Sequence, residues 1–154
     1  MRIALFEPDI PQNTGTILRL AACLGLAVDI IEPAGFAVSD RAFRRAGLDY
    51  LDHVEITRHR SFQYFHETLG KKHLQRLVLL TTKAEIPYTD FQFFPCDTLL
   101  LGRESAGVPE YVHSCADARI IIPMFNNLRS INIAVATAMV VGEALRQTEQ
   151  FPQA

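Results

Sequence analysis

The sequence predicts an α/β protein, in which a mostly parallel sheet is covered by helices on both faces. Two observations support this fold class. Strand-like and helix-like segments alternate along the chain, and the strand-like segments are almost entirely apolar. Unbroken apolar strands are typical of a parallel sheet that is buried on both sides. Because 154 residues is the length of one ordinary domain, we predict a single domain over residues 1–154.

The first half of the chain is predicted to contain three strands and three helices. In chain order they are a strand over residues 2–7 (RIALFE), a helix over 14–24, a strand over 27–31 (AVDII), a helix over 39–45, a strand over 54–57 and a helix over 61–69. The first helix is predicted because apolar residues recur at helical spacing from Ile17, and Gly25 is a typical stop. Ser39 and Ser61 are typical N-caps of the other two helices.

The second half is predicted to contain three further strands and two helices. In chain order they are strands over residues 77–81 (LVLLT) and 98–101 (TLLL), a short helix from Pro109, a strand over 119–122 (RIII) and a long helix over 132–147. Proline suits the first turn of a helix because the missing amide hydrogen has no partner there in any case.

The composition excludes several classes of protein. Hydrophobic residues make up 49% and charged residues 21% of the chain, which excludes a mainly disordered protein. No apolar run approaches the ~20 residues of a membrane span, so no membrane partner is expected. The opening MRIALFEPDIP predicts a strand and not a signal peptide.

Three cysteines, Cys23, Cys96 and Cys115, lack the spacing of metal ligands. They predict buried free thiols in a protein of the reducing cytoplasm, with neither a disulfide nor a metal site.

The ends of three predicted strands are candidates for a binding site, because parallel α/β sheets bind ligands beyond the carboxyl ends of their strands. One strand leads into Thr82, the next into the loop from Gly102 to Gly107, and the last into Pro123. The two glycines leave space for a ligand to approach the backbone, and the proline interrupts the strand ladder. Three ordinary loops are the alternative interpretation.

Two groups of side chains lie near these strand ends or near the first helix. Ser130 and Asn132 precede the last helix, where either can be the N-cap and the other is then free beside the positive helix end. Arg19 lies off the apolar stripe of the first helix, on the same side as Gly15 and Ala22. It is either a solvated arginine or a contact to a substrate or partner.

Several common catalytic motifs are absent. The residue two before Ser105 is Arg103, so the G-x-S-x-G motif of a nucleophile elbow is not formed. The five histidines form no H-E-x-x-H pair, and the first strand is followed by neither a P-loop nor a G-x-G-x-x-G sequence. These absences argue against a serine hydrolase, a zinc protease, an NTPase and a nicotinamide enzyme.

The charge is distributed unevenly along the chain. The net charge is −2, yet residues 41–76 contain eight basic and four acidic side chains. Arginine accounts for 12 of the 15 basic residues, and its planar guanidinium suits phosphate recognition. Phosphate contacts from Arg41, Arg44 and Arg45 are therefore a hypothesis, and solvated helices are the alternative.

Taken together, three segments resemble the motifs of the SPOUT (α/β-knot) RNA methyltransferases. They are PQNTGTILRLAACLG (residues 11–25), LLLGRESAGVP (residues 99–109) and IIIPMFNNLRSINIAVATAMVVGEALRQ (residues 120–147). The compact length, FEPDIPQNTG and RRAGLDY are similar to the small members that methylate the ribose 2′-hydroxyl of the tRNA wobble nucleotide. One departure is Arg103, where relatives often carry proline.

The resemblance implies a C-terminal trefoil knot and S-adenosylmethionine as methyl donor, without a metal. It implies cofactor contacts from Leu80, Gly102, Ile122 and Ser130. It also implies a catalytic group of Arg19 with Ser130 and Asn132. An arginine with a pKa above ~12 is a poor proton acceptor, so we expect Arg19 to stabilise the developing alkoxide or to hold a phosphate.

The implied substrate is the tRNA anticodon stem-loop, with cytidine or modified uridine at the wobble position. Methylation of another tRNA or rRNA site and a non-catalytic RNA-binding module are alternatives. The joint presence of Arg19, Glu104, Ser130 and Asn132 favours an enzyme.

The last helix predicts a homodimer. Residues 133–141 are apolar except for Thr137, and a helix that is apolar on all sides must be covered on all sides. A second chain is the expected cover, with Val135 and Met139 at the contact and Arg19 acting across it. A fully internal helix is the alternative.

Overall fold

The computed structural model describes residues 1–36, 50–70, 75–126 and 128–153. The predicted helix over residues 39–45 therefore lies outside the described residues. The strands are β1 (Arg2–Phe6), β2 (Ala27–Ile31), β3 (Ile56–His59), β4 (Leu77–Leu80), β5 (Ile86–Pro87), β6 (Thr98–Leu101) and β7 (Ala118–Ile121). The helices within the described residues are α1 (Pro11–Leu24), α2 (Phe62–Gly70), α3 (Glu110–Cys115) and α4 (Ile133–Thr148).

The seven strands form one sheet in the order β3-β2-β1-β6-β4-β7-β5. Every neighbouring pair is parallel. The central strands have almost no exposed residues, as expected for a sheet that is covered on both sides. The predicted α/β class with a mostly parallel sheet is confirmed.

Helices cover both faces of this sheet. Ile17 of α1 and Val140 of α4 belong to the same buried cluster as Ile3 of β1. Phe65 of α2 and Val112 of α3 belong to a second cluster, on the other face. Helices α1 and α4 also pack against each other, so the start of the chain and its last helix meet on one side of the sheet.

Most predicted elements are present, with shifted ends. Helix α1 begins at Pro11, one turn earlier than predicted, because proline is compatible with the first helical position. Gly25 ends this helix in the left-handed conformation, with φ 66°, as the sequence predicted. Strand β3 starts two residues later than predicted because its register with β2 pairs Val28 with Ile56. The two-residue β5 was not predicted.

The burial of two kinds of small residue was predicted wrongly. Cys23 and Cys96 are exposed and Cys115 is half-buried, although all three are free thiols as expected. Cys23 lies on the outer side of α1, on the same exposed face as Gln12 and Arg19. It follows Gln12 by eleven residues and Arg19 by four, which are both helical spacings. Gly15, which we placed on that outer side, is instead buried.

Candidate active site

The carboxyl ends of β6, β4 and β7, which are neighbours in the sheet, open into one cleft of about 600 Å³. The cleft is lined by the residues that follow these three strands, by the start of α1 and by the entry to α4. The three strand ends that the sequence singled out therefore converge on a single cavity.

The loop after β6 is tightly folded against itself. The Arg103 amide donates to the Gly107 carbonyl at 2.9 Å, and the Gly107 amide donates back to the Arg103 carbonyl at 2.8 Å. A Cβ on Gly102 would lie 2.7 Å from the Gly107 carbonyl carbon, closer than real side chains approach backbone. Gly107 has φ 67°, which favours glycine. Proline at position 103 could not donate the first of these bonds, so Arg103 fits this loop.

The entry to α4 resolves which residue caps the helix. The Asn132 side-chain oxygen accepts from the Ala134 amide at 2.9 Å and from the Val135 amide at 3.4 Å, so Asn132 is the N-cap. Ser130 lines the cleft and is not the cap. The Asn132 side-chain amide also donates to Asn13 Oδ1 at 2.9 Å, which ties the start of α4 to the start of α1.

Glu104 lines the cleft and bonds to the segment at the start of α1. Its Oε1 accepts from the Asn13 side-chain amide at 3.2 Å, and its Oε2 accepts from the Asp9 main-chain amide at 3.2 Å. Burial raises the pKa of Glu104, and the neighbouring Asp9 carboxyl raises it further. The sequence marked Glu104 as a feature of an enzyme but did not connect it with Asp9, which lies 95 positions earlier.

Arg19 does not line the cleft. It is on the outer face of α1, where its guanidinium lies 4.6 Å from the centre of the Tyr50 ring and donates to the Tyr50 hydroxyl at 3.5 Å. Tyr50 was not among the predicted site residues. Tyr50 immediately precedes a short 3₁₀ turn (Leu51–His53), and nothing in the local sequence indicates that its ring meets α1.

The predicted site residues thus divide into three groups. Those that line the cleft are Leu80, Gly102, Ile122, Ser130 and Asn132. Arg19 lies outside it. Arg41, Arg44 and Arg45 lie outside the described residues.

Basic side chains dominate the charge at the cleft. Lys83, Arg103 and Arg129 line it, together with the carboxylate of Glu104. A cleft with excess positive charge attracts phosphate groups. In the part of the chain that the structure describes, no three His, Cys, Asp or Glu side chains are grouped so that they could hold a metal ion. No helix among the described residues is long and apolar enough to cross a bilayer.

A parallel sheet with a ligand-sized cleft at the carboxyl ends of neighbouring strands defines a ligand-binding α/β protein. A tight glycine loop and a helix N-terminus form two sides of this cleft. The chain belongs to the SpoU rRNA Methylase family, whose sequence profile matches residues 1–142. This membership confirms the resemblance that the three motifs suggested.

Individual relatives match over nearly the whole chain. A tRNA (cytidine(34)-2'-O)-methyltransferase of Beijerinckia indica is 64% identical over 145 residues, which are 94% of this chain and 90% of that protein. The protein of the same name from Escherichia coli K12 is 42% identical, over 96% of this chain and 93% of its own length.

Solved structures agree. A structure concerned with the 2-OH methylation of C/U34 on tRNA superposes with a TM-score of 0.89 at 39% identity, covering 95% of this chain and 94% of that chain. The SpoU methyltransferase AviRb of Streptomyces viridochromogenes, in complex with AdoMet, superposes with a TM-score of 0.87 at 26% identity. That match covers 96% of this chain and 57% of AviRb.

Proposed function

We propose that this protein transfers a methyl group from S-adenosylmethionine to the ribose 2′-hydroxyl of nucleotide 34 of tRNA. The observation that carries the proposal is the 64% identity, over 94% of the chain, to a protein named for this activity. The cleft supports it, because all three segments that resemble the family's motifs contribute residues to its walls.

The cleft fits S-adenosylmethionine, which when bound supplies a methyl group carried on a positively charged sulfur. Its volume of about 600 Å³ is in the range of small-molecule sites. Leu80 and Ile122 offer apolar walls, and Gly102 leaves its backbone accessible in a place where a side chain has no room. Ser130 offers a hydroxyl at the entry to α4. We assign these four residues to cofactor binding.

The ribose hydroxyl must then give up its proton to water, and the chain's own residues must hold its oxygen in line with the methyl group. Arg19 stabilises the negative charge that develops on this oxygen or holds the adjacent phosphate, since a guanidinium is a poor proton acceptor. Ser130 and Asn132 orient the ribose from the entry to α4. Arg19 lies outside the cleft of its own chain, so we assign it to the cleft of a second copy.

A homodimer would bring Arg19 of one chain to the cleft of the other. Apolar side chains are exposed along α4 and the segment that leads into it, and a second copy of the chain would cover them. They are Phe125 (82% exposed), Leu128 (66%), Ile131 (40%), Val135 (53%) and Met139 (39%). This exposed surface and the position of Arg19 on neighbouring α1 support an interface formed by the outer sides of both helices.

We further propose that the C-terminal part of the chain is knotted and that residues 1–154 form one domain. Strand β7, the last in the sequence, is inserted between β4 and β5, which precede it. This strand order supports a knot, in which the end of the chain passes through a loop formed earlier in the sequence. Because a single sheet contains strands from both halves of the chain, one domain is the simplest division. Its tRNA substrate suggests the cytoplasm.

Methyl-transfer assays test the proposed function. Purified protein, radiolabelled S-adenosylmethionine and tRNA that lacks the modification should give labelled tRNA, and nuclease digestion should locate the label in the ribose of nucleotide 34. Label at another tRNA or rRNA position would replace the proposed substrate. Binding of tRNA without any transfer would favour a non-catalytic RNA-binding module.

Exchanging Gly102 for alanine is expected to disable cofactor binding. The new Cβ would lie 2.7 Å from the Gly107 carbonyl carbon, so the loop after β6 must move away from its observed position. We expect the Kd for S-adenosylmethionine, measured by calorimetry, to rise at least about 10-fold. Gly70→Ala is the matched control, because nothing lies within 4 Å of a Cβ there and α2 packs on the opposite face of the sheet from α1 and α4. Equal affinity in both variants would contradict the proposed role of this loop.

The RNA interface is tested by charge reversal. A variant with Arg41, Arg44 and Arg45 all changed to glutamate should bind tRNA more weakly, because phosphate contacts supply most of the salt-dependent affinity. Each lost contact should reduce the slope of log K against log salt by roughly one. Binding curves at several salt concentrations measure this slope. An unchanged slope would move the RNA-binding surface elsewhere on the protein.

A further inference from the structure

Asp9, in the loop between β1 and α1, joins two parts of the cleft wall without lining the cleft itself. Its main-chain amide donates to Glu104 Oε2, and its Oδ1 accepts from the Glu104 amide, both at 3.2 Å. Two segments 95 positions apart in sequence are thus joined by a reciprocal pair of hydrogen bonds. Neither bond belongs to a helix or a strand ladder.

The second carboxylate oxygen of Asp9 is also used. Its Oδ2 accepts a hydrogen bond from the Ser105 hydroxyl and lies 3.6 Å from Arg103 Nε. Asp9 therefore contacts three consecutive residues of the loop after β6. Arg103 extends the group, because its Nη1 donates to Glu7 Oε2 at 3.2 Å.

The backbone of Asp9 is packed closely against Gly35. A Cβ on Gly35 would lie 3.0 Å from both the Cα and the Cβ of Asp9, so the two backbones are in close contact there. The Gly35 amide donates to the Pro8 carbonyl at 2.8 Å. The Asp9 carboxylate therefore contacts the loop after β6 from a segment whose backbone is packed closely against Gly35.

Glu104 connects Asp9 by hydrogen bonds to the start of α1 and the start of α4. Its Oε1 accepts from Asn13, and Asn13 in turn accepts from Asn132, the N-cap of α4. A continuous series of hydrogen bonds therefore runs from Asp9 through Glu104 and Asn13 to Asn132. It connects the loop after β6, the start of α1 and the start of α4.

We propose that Asp9 is a positioning residue that holds the cofactor loop of residues 102–107 against the start of α1 and thereby assembles the cofactor cleft. The inference rests on the proposed function in taking S-adenosylmethionine as the ligand of this cleft. Asp9 acts through Glu104 and Ser105 and does not itself contact the reacting groups.

The carboxyl groups of Asp9 and Glu104 affect each other's pKa. This effect provides a measurement that separates a positioning role of Asp9 from a general contribution to stability. The hydrogen bond to Glu104, followed by those from Ser105 and the charge of Arg103, lowers the pKa of Asp9 to about 2. Asp9 is thus ionised near neutral pH. Burial and then the Asp9 carboxyl raise the pKa of Glu104. If Asp9 loses its charge, the pKa of Glu104 must fall.

Other charged and titratable groups near the pair stay unchanged when Asp9 is exchanged. Glu7 and Arg103 adjoin it, and Lys83, Arg129 and His113 line the same cleft from the end of β4, the entry to α4 and α3. A change in acid sensitivity between variants that differ only at Asp9 therefore reports on the Asp9–Glu104 pair.

Asp9→Asn is the decisive variant, measured by calorimetric titration with S-adenosylmethionine. We expect its Kd to rise about 10-fold at neutral pH, because the amide cannot replace both acceptor oxygens. Ser105→Ala removes one of the donors and should raise the Kd about threefold. Asp90→Asn is the control: Asp90 is exposed, its side chain accepts from the hydroxyl of its neighbour Thr89, and the variant should bind like the wild type.

The pH profile supplies the second readout. Protonated Glu104 is a weaker acceptor for Asn13 and for the Asp9 amide, so affinity should fall as the pH drops through the Glu104 pKa. In Asp9→Asn this acid loss should occur at lower pH than in the wild type, because the pKa of Glu104 is no longer raised by a second carboxyl. A purely structural defect would weaken binding at all pH values without moving the midpoint.

Several results would overturn the proposal. One is wild-type affinity in both Asp9→Asn and Ser105→Ala, and another is weaker binding with an unmoved acid midpoint. If Asp9→Asn does not fold, Ser105→Ala alone decides through its Kd. Because the readout is cofactor binding, a wild-type protein that binds S-adenosylmethionine but methylates no tRNA would overturn the proposed substrate and leave this test intact.

Discussion

Arg19→Ala is expected to abolish methyl transfer to tRNA while leaving S-adenosylmethionine binding within about twofold of the wild type. The side chain lies outside the cleft, against Tyr50, so its removal leaves the cofactor walls unchanged. Losing a group that stabilises developing charge should lower kcat at least about 100-fold. Single-turnover transfer assays and calorimetry measure the two effects separately.

Arg119→Ala is the matched control for this prediction. Arg119 is exposed on β7 and does not line the cleft, so its loss should leave kcat unchanged. Arg19→Lys should retain only part of the activity, because an ammonium cannot stack and bond as a guanidinium does. Equal losses of transfer and of cofactor binding in Arg19→Ala would contradict the proposed division of roles.

Mixing two inactive variants tests whether Arg19 acts on its own chain or on its partner. In a mixed dimer, the Arg19→Ala chain supplies an intact cleft and the Gly102→Ala chain supplies an intact Arg19. These two parts form one working site only if the arginine crosses the interface. Random assembly would make half of the dimers mixed, with one working site each, so about a quarter of the wild-type activity should return. No recovery would place Arg19 at its own cleft.

The sequence predicted the cleft well because the strands could be recognised from apolar runs alone. Leu80, Gly102 and Ile122, which the family resemblance implied, are at or just beyond the strand ends that the apolar runs singled out, and the carboxyl ends of parallel strands lie on one side of a sheet. Local patterns that identify a strand therefore also identify one wall of the site.

The contacts between segments could not be predicted in the same way. Helical spacing placed Arg19 off the apolar stripe of α1, but it did not show that Tyr50 lies beside it. The pairing of Asp9 with Glu104 depends on two loops that approach each other only after β1 and β6 pair in the sheet. Burial of Gly15 likewise follows from the packing of α1 near α4, which a single helix does not reveal.

The dimer is tested by placing a charge on the outer face of α4. Val135 and Met139 are one helical turn apart, and 53% and 39% of their surfaces are exposed. Glutamate at either position would have to be buried without a partner in the proposed interface, at a cost of several kcal/mol. We expect wild-type protein to sediment as a dimer and both glutamate variants to be monomeric or insoluble.

Tyr64→Glu is the matched control for the interface, since Tyr64 is 46% exposed on α2, which packs on the opposite face of the sheet from α1 and α4. It should remain dimeric. A soluble monomer of Met139→Glu should also lose methyl transfer, because Arg19 of the partner no longer reaches the cleft, while its cleft keeps the capacity to bind S-adenosylmethionine. Sedimentation equilibrium at micromolar concentration and a transfer assay on the same samples decide the matter. A wild-type monomer, or a dimeric Met139→Glu with full activity, would refute both the interface and the shared site.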